Sequence, residues 1–256
     1  METLKPPPPF TPLLRKILKR LIGANNFRNF VGRHEHTSEF IWERLSSELN
    51  KQSAILDIGA YVGEYSIKAR LKNPYVSIHA FEPNKITIKQ LKENIIDLNI
   101  KVSDVAISDK CQKVLFTNQN AASRIVNDQS NDYPTFEVKT TTLDKYQEEN
   151  NIDIKLIKID TEGNEFKILN GASNVLKNYS PIICCEVLSD EEGNRLSILL
   201  KESYIFYQVD EKYKRIAKRP LINRELWRNK NWFFVPIAQV DNFENSISKS
   251  KIITIL

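Results

Sequence analysis

A chain of 256 residues is long enough for one large domain with a substantial core and too short for two full ones. Its 41% hydrophobic and 27% charged residues exclude a disordered chain, and no apolar run reaches the roughly 18 residues of a membrane span. The net charge of 37 − 32 = +5 is mild, and no dense Lys/Arg block is interleaved with aromatics, so a nucleic-acid partner is excluded.

The first residues, METLKPPPPF, are polar and proline-rich, with no secretory signal, which makes the cytoplasm the expected compartment. Residues 1–37 read as a leader: Pro6 to Pro9 are stiff and extended, and residues 13–22 form an amphipathic helix with apolar and basic pairs on opposite faces. That helix either packs on the main domain or makes a peripheral membrane contact. His34 and His36 follow, in an exposed linker or in a lid carrying a base. The main domain is assigned to residues 38–236 and a C-terminal tail to 237–256. Cys111, Cys184 and Cys185 lack C-x-x-C spacing, and Cys184 and Cys185, in an apolar run, read as buried strand thiols, not a redox or zinc pair.

A helix is expected from Ser38 to Leu49, with Phe40, Ile41, Leu45 and Leu49 on its inner face. Strands are then expected at 54–58, 76–81, 102–105, 114–116, 135–140, 154–159, 182–187, 204–209 and 232–235. Helices are expected at 64–71, 85–98, 165–176 and 196–201. Short strands alternating with longer amphipathic segments imply βαβ units in a doubly wound α/β sheet. Ligands of such sheets bind beyond the carboxyl ends of the strands, so residues just after strands are the candidates.

Asp57-Ile58-Gly59-Ala60-Tyr61-Val62-Gly63 is a strand entering a glycine-punctuated turn and a helix. Gly59 permits a sharp turn and Gly63 a close approach of the helix. A pyrophosphate site needs G-x-G-x-x-G, and here the second glycine is replaced by Tyr61. The turn therefore suits an adenosine without a diphosphate, which is S-adenosylmethionine. Glu82, followed by Pro83, ends the second strand 19 residues beyond Gly63, where a carboxylate can accept both hydrogen bonds of a ribose diol. Asn84 is a natural N-cap for the next helix. Asp104, Val105 and Ala106, where the third strand ends, are expected around the adenine ring. Ala121-Ala122-Ser123-Arg124 lies in a polar loop that reads equally as an acceptor-binding insertion or as plain surface.

Lys158-Ile159-Asp160-Thr161-Glu162-Gly163-Asn164-Glu165 resembles the signature of the FkbM family of methyltransferases. Asp57–Ala60, Phe81–Asn84, Thr142-Leu143-Asp144, Leu169–Ala172 and Cys185-Glu186-Val187 agree in order, over about residues 38 to 236. Tyr61 departs from the asparagine usual in the family. The resemblance implies a class I methyltransferase: a Rossmann-like, mostly parallel seven-stranded sheet that uses S-adenosylmethionine to methylate a hydroxyl. The acceptor it implies is a small molecule or glycan, often a saccharide, glycolipid or natural product.

Methyl transfer aligns acceptor oxygen, methyl and sulfur, and a base can take the hydroxyl proton. Asp160 and Glu162 are the expected catalytic carboxylates, and Asp160 also faces the cofactor. Glu165 follows, either in the site or capping the next helix, and Glu186 sits after the fifth strand. The carboxylates have the oxygen chemistry for a divalent cation, but no histidine joins them and no metal is assigned. The alternatives are a non-catalytic adenosine-binding protein on the same fold and a dinucleotide-dependent oxidoreductase, which Tyr61 disfavours.

Overall fold

The structure is a computed structural model that describes residues 36–118, 122–126, 133–223, 230–248 and 254–255. The leader helix at 13–22 and His34 lie outside the described residues.

The period-2 pattern of the strands decides the architecture. Along β1 (Ser53–Ile58), β8 (Asp153–Ile159) and β9 (Ile182–Glu186), every apolar position is buried, but alternate residues enter different cores. Leu56, Ile58, Ile157, Ile159, Ile183 and Cys185 enter one core. Ile55, Leu156 and Cys184 enter the other. A sheet apolar on both faces must be covered on both.

One face is covered by α1 (Thr37–Glu48), α2 (Glu64–Lys72) and α8 (Val240–Ser248). The other is covered by α4 (Leu143–Asn150), α5 (Glu165–Asn170), α6 (Ser173–Tyr179) and α7 (Asp190–Leu200). The remaining strands of the sheet are β2 (Ser77–Phe81), β3 (Lys101–Ser103), β10 (Tyr204–Asp210), β11 (Arg215–Arg219), β12 (Asn231–Pro236) and β13 (Thr254–Ile255). Their order is β13-β11-β10-β12-β9-β8-β1-β2-β3, nine strands. From β3 to β10 these are the seven expected, parallel from β3 to β9, with β12 running antiparallel between β9 and β10. The hairpin partner β11 and then β13 extend that edge.

Several helices differ from the expected bounds, each for a local reason. The helix expected at 85–98 is α3 (Thr87–Asn94): Ile95 leaves the helical conformation, and Asp97 and Asn99 beyond it are left-handed. The single helix expected at 165–176 is α5 and α6, broken at Gly171. A Cβ on Gly171 would lie 2.6 Å from the Ser108 carbonyl, so the chain passes too close for an uninterrupted side-chain-bearing turn. The stretch after Pro236, expected as a tail, is a 3-10 turn followed by α8, whose Phe243 and Ile247 are buried.

A second, small sheet carries β4 (Ala106–Ile107), β7 (Thr135–Thr141), β5 (Lys113–Thr117) and β6 (Ile125–Val126), in that order. It is inserted between β3 and β8. Chain order reverses between β1 and β8, and a cleft opens there.

Candidate active site

The cleft encloses about 540 Å³, open solvent included. Its walls are the carboxyl ends of β1, β2 and β8 together with the inserted sheet. That volume falls within the range of small-molecule sites.

Gly59 takes a φ of +77°, and a Cβ there would sit 1.8 Å from the Asp160 carbonyl, so no other residue fits without moving β8. Gly63 has a φ of +91°, and a Cβ would press on Leu91 at 2.6 Å. Between them Tyr61 is also left-handed, at +49°, with its ring half-exposed on the cleft wall. The turn points the Tyr61 N–H at Glu82, donating to Oε2 at 3.0 Å, while the Asn84 N–H donates to Oε1 at 2.8 Å. Glu82 is thus fixed at the end of β2 facing the cleft, and burial outweighs these two bonds and pushes its carboxyl up to about 7. Asn84 Oδ1 accepts from the N–H groups of Ile86 and Thr87, so it shapes the turn into α3, whose N-cap position is Ile86 and not the expected Asn84.

Asp57 and Ala60 lie beneath this turn and are buried; Asp57 Oδ2 accepts from Ser66 N–H at 3.0 Å and Ser66 Oγ at 2.7 Å. Asp57 therefore anchors the turn to α2 from behind. Burial, its largest influence, pushes its carboxyl up. Pro83, Val105 and Ala106 line the cleft as expected, joined by Ile107, Phe116, Ser123 and Ile125. Asp104 does not join them: it is exposed and outside the lining, because the chain leaves β3 at Ser103 and only turns inward at Val105. Phe116 and Ile125 come from the inserted sheet and Ser123 from the segment just before β6, with Ser123 Oγ 3.0 Å from Asn84 Nδ2. Arg124 is exposed and outside the lining, and His36 is exposed at the start of α1.

Asp160 and Glu162 also line the cleft, where β8 ends. The loop after them turns through two left-handed residues, Glu162 and Gly163, and Glu165 clamps it. Glu165 Oε1 accepts from the N–H and Oγ1 of Thr161, both at 2.8 Å, and Oε2 accepts from Gly163 N–H at 3.0 Å. It is fully buried and lies outside the lining, so it is in neither expected place: it braces the loop, while the N-cap position of α5 is Asn164. Asn164, which the motif reading passed over, lines the cleft and donates to the Ile107 carbonyl at 2.9 Å, tying this loop to β4.

The other residue overlooked is Lys158. Its side chain is buried, its ammonium lies 3.0 Å from Asp160 Oδ2, and it stands 4.7 Å over the Tyr65 ring. Burial works against its charge, but Asp160 and Asp57 outweigh burial and hold it protonated. Burial likewise works against the Asp160 carboxylate, and Lys158 outweighs it, holding Asp160 below the usual range. Glu186, at the end of β9, completes a group of three carboxylates with oxygens within 4.8 Å of one another. A divalent cation needs such oxygens, but Lys158 and Lys230, the latter 3.8 Å from Glu186, already bring positive charge to them.

A family model described as the methyltransferase FkbM domain matches residues 57–214, more than half of the chain. The chain belongs to the FkbM methyltransferase family. The 31-O-demethyl-FK506 methyltransferase FkbM of Streptomyces tacrolimicus is 32% identical over 65 residues, which are 25% of this chain and 25% of that protein. Among solved structures, a methyltransferase FkbM from Methylobacillus flagellatus KT aligns at 16% identity with a TM-score of 0.49, over 73% of this chain and 44% of its own. A putative caffeoyl-CoA O-methyltransferase from Staphylococcus aureus aligns at 11% identity with a TM-score of 0.42, over 90% and 85%. The matches thus span a quarter of the curated relative and less than half of the FkbM structure.

The cofactor of this FkbM domain is S-adenosylmethionine. The residues present fit it: Glu82 offers a fixed carboxylate for a diol, Val105, Ile107, Phe116 and Ile125 offer apolar walls, and Asp160 offers a negative charge for a cationic centre.

Proposed function

We propose that this FkbM domain transfers a methyl group from S-adenosylmethionine to a hydroxyl oxygen of a small molecule or glycan. The observation that carries the reading is one cleft lined by Glu82 at the end of β2 and by Asp160 and Glu162 at the end of β8. The bound cofactor supplies an electrophilic methyl on a sulfonium. Glu82 accepts hydrogen bonds from the ribose hydroxyls, and the apolar walls hold the base. Asp160, kept ionised by Lys158, faces the cationic end, and with Glu162 it orients the acceptor hydroxyl in line with the methyl. Selectivity for the acceptor would reside in the segment before β6, which brings Ser123 to the cleft wall.

We also assign the reaction to the cytoplasm, a reading supported by the free cysteines Cys111, Cys184 and Cys185, with residues 13–22 as a peripheral membrane contact. Among the described residues no helix is long and apolar enough to cross a membrane.

The test is incubation with methyl-labelled S-adenosylmethionine and a panel of saccharides and hydroxylated natural products, followed by location of the label. Label in an ether, lost in Asp160→Ala, is the expected result. Label in an amine or a carboxylic ester would overturn oxygen-hydroxyl specificity and leave the methyltransferase family intact.

A further inference from the structure

We propose that Asp160 and Glu186 form a single proton-sharing unit, emptied when the sulfonium binds and refilled by the proton of the acceptor hydroxyl. The inference rests on the methyl-transfer reading above and assigns its proton acceptor. Asp160 is the member on the cleft wall and touches the reacting groups. Glu186 lies outside the lining and acts through Asp160, as a positioning residue.

The geometry comes from the sheet. β8 and β9 run parallel, with Ile159 opposite Cys185, so Asp160 and Glu186 are the next residues on adjacent strands. Both leave the sheet at the same level, and their carboxylate oxygens lie within 4.8 Å of each other. Two ionised carboxylates are acceptors only and cannot bond to each other; one proton between them can. Their surroundings make the two members unequal. Lys158 reaches Asp160 at 3.0 Å from the buried side and keeps it ionised. Glu186 meets the half-exposed Lys230 at 3.8 Å and faces Glu162 as well. Burial and the Asp160 charge push Glu186 up to about 7. Pairs driven apart in this way divide the acid and base roles between them, though they titrate as a unit.

The charge balance follows. The incoming sulfonium carries +1 and favours the fully ionised pair, so the shared proton leaves to solvent on binding. In the transfer, the acceptor oxygen forms a bond to the methyl carbon as the carbon–sulfur bond breaks. The electron pair of that bond goes to sulfur, which becomes neutral. The hydroxyl proton passes to Asp160 and is shared with Glu186. The sulfonium charge disappears as one carboxylate charge is neutralised, so the site ends with the same net charge as it began. Lys158 and Asp57 stay buried and do not change state in this scheme.

The test is calorimetric binding of S-adenosylmethionine and of its demethylated, neutral product to the full chain between pH 5.5 and 7.0, in two buffers of different ionisation enthalpy. Glu82 titrates near the same pH but would meet the ribose of both ligands, so it cancels in the comparison. The expected result is that affinity for the sulfonium rises by up to tenfold per pH unit relative to the product, with up to one more proton released. Glu186→Gln should bring the two profiles together, and Glu186→Asp should restore their separation. Coincident profiles in the wild type would overturn the proposal without any variant. So would a Glu186→Gln protein that keeps the wild-type separation. Binding of neither ligand would remove the methyl-donor reading itself, a different outcome from binding without proton release.

Discussion

At Gly59 the backbone conformation and the lack of space ask for the same residue. With φ at +77° and the Asp160 carbonyl where a Cβ would stand, Gly59→Ala must push β1 and β8 apart at the site. We expect Gly59→Ala to cost at least about 3 kcal/mol of stability, measured by urea unfolding; a loss below 1 kcal/mol would show that β8 yields easily. Tyr61 is the opposite case. It occupies a left-handed position that asparagine tolerates far better, and only its backbone N–H is used to hold Glu82. Tyr61→Asn should therefore raise stability by about 0.5–1 kcal/mol, and an unchanged urea midpoint would argue that the tyrosine ring offsets the strain. Both glycines and Glu82 were legible because their function depends on spacing along one strand–turn–helix unit. Asp104 was misread because its placement depends on where β3 ends, and sequence reading is weakest at element boundaries. Lys158 went unrecognised inside a motif read for its carboxylates, since only the structure shows it buried behind them.

Elements that the chain closes on itself over long separations were the least legible. The N-terminus of α1 has no side-chain cap of its own, and His36 supplies none. Glu211, from the β10–β11 turn, does the work: its carboxylate accepts from the Thr37 N–H, and Ser38 Oγ donates to Oε1 at 2.6 Å. Asn231 donates to the same oxygen at 3.0 Å, so one carboxylate joins a helix start, a hairpin and β12. Glu211→Ala should cost about 1–2 kcal/mol and speed amide exchange in the first turn of α1 ahead of the sheet. Exchange rising evenly across the domain would instead mean that the contact is global. Likewise α8 lies in the stretch assigned to the C-terminal tail, yet Phe243 packs its ring on Tyr207 and Phe233, with centroids 4.9 and 5.9 Å away. Its apolar residues, Val240, Phe243 and Ile247, recur at spacings of three and four, and that signal was available. Phe243→Ala should remove about 3–5 kcal/mol.

Across the whole molecule, the sheet gathers carboxylates at one edge: Glu82 after β2, Asp160 after β8 and Glu186 at the end of β9. The alternation of strands and helices made the doubly wound fold legible, and with it the edge where ligands bind. Which carboxylates meet there depends on strand register, which no local pattern encodes. The gathering has a cost that depends on pH. Glu82 and Glu186 are each pushed up to about 7 from an ordinary value of 4.5, chiefly by burial. Between those values the folded chain binds protons that the unfolded chain has released. The stability this affords is therefore fully present below about pH 4.5 and is lost as pH rises through about 7. Glutamine is uncharged like the protonated carboxyl, so its contribution does not vary over this range, although at position 82 its amide nitrogen cannot accept the second backbone N–H. Measured against its own standing near pH 4.5, the double variant Glu82→Gln/Glu186→Gln should gain roughly 1–3 kcal/mol on the ligand-free wild type above pH 7.5, after allowing for solvent at the mouth of the cleft. The same variant should bind S-adenosylmethionine poorly, as expected where a binding site is held at the expense of stability. Urea unfolding at pH 4.5, 6 and 8 decides the matter. A difference that stays constant with pH would mean that these carboxylates are no more basic in the fold than in the unfolded chain, and that the edge of the sheet stores no charge for the cofactor to relieve.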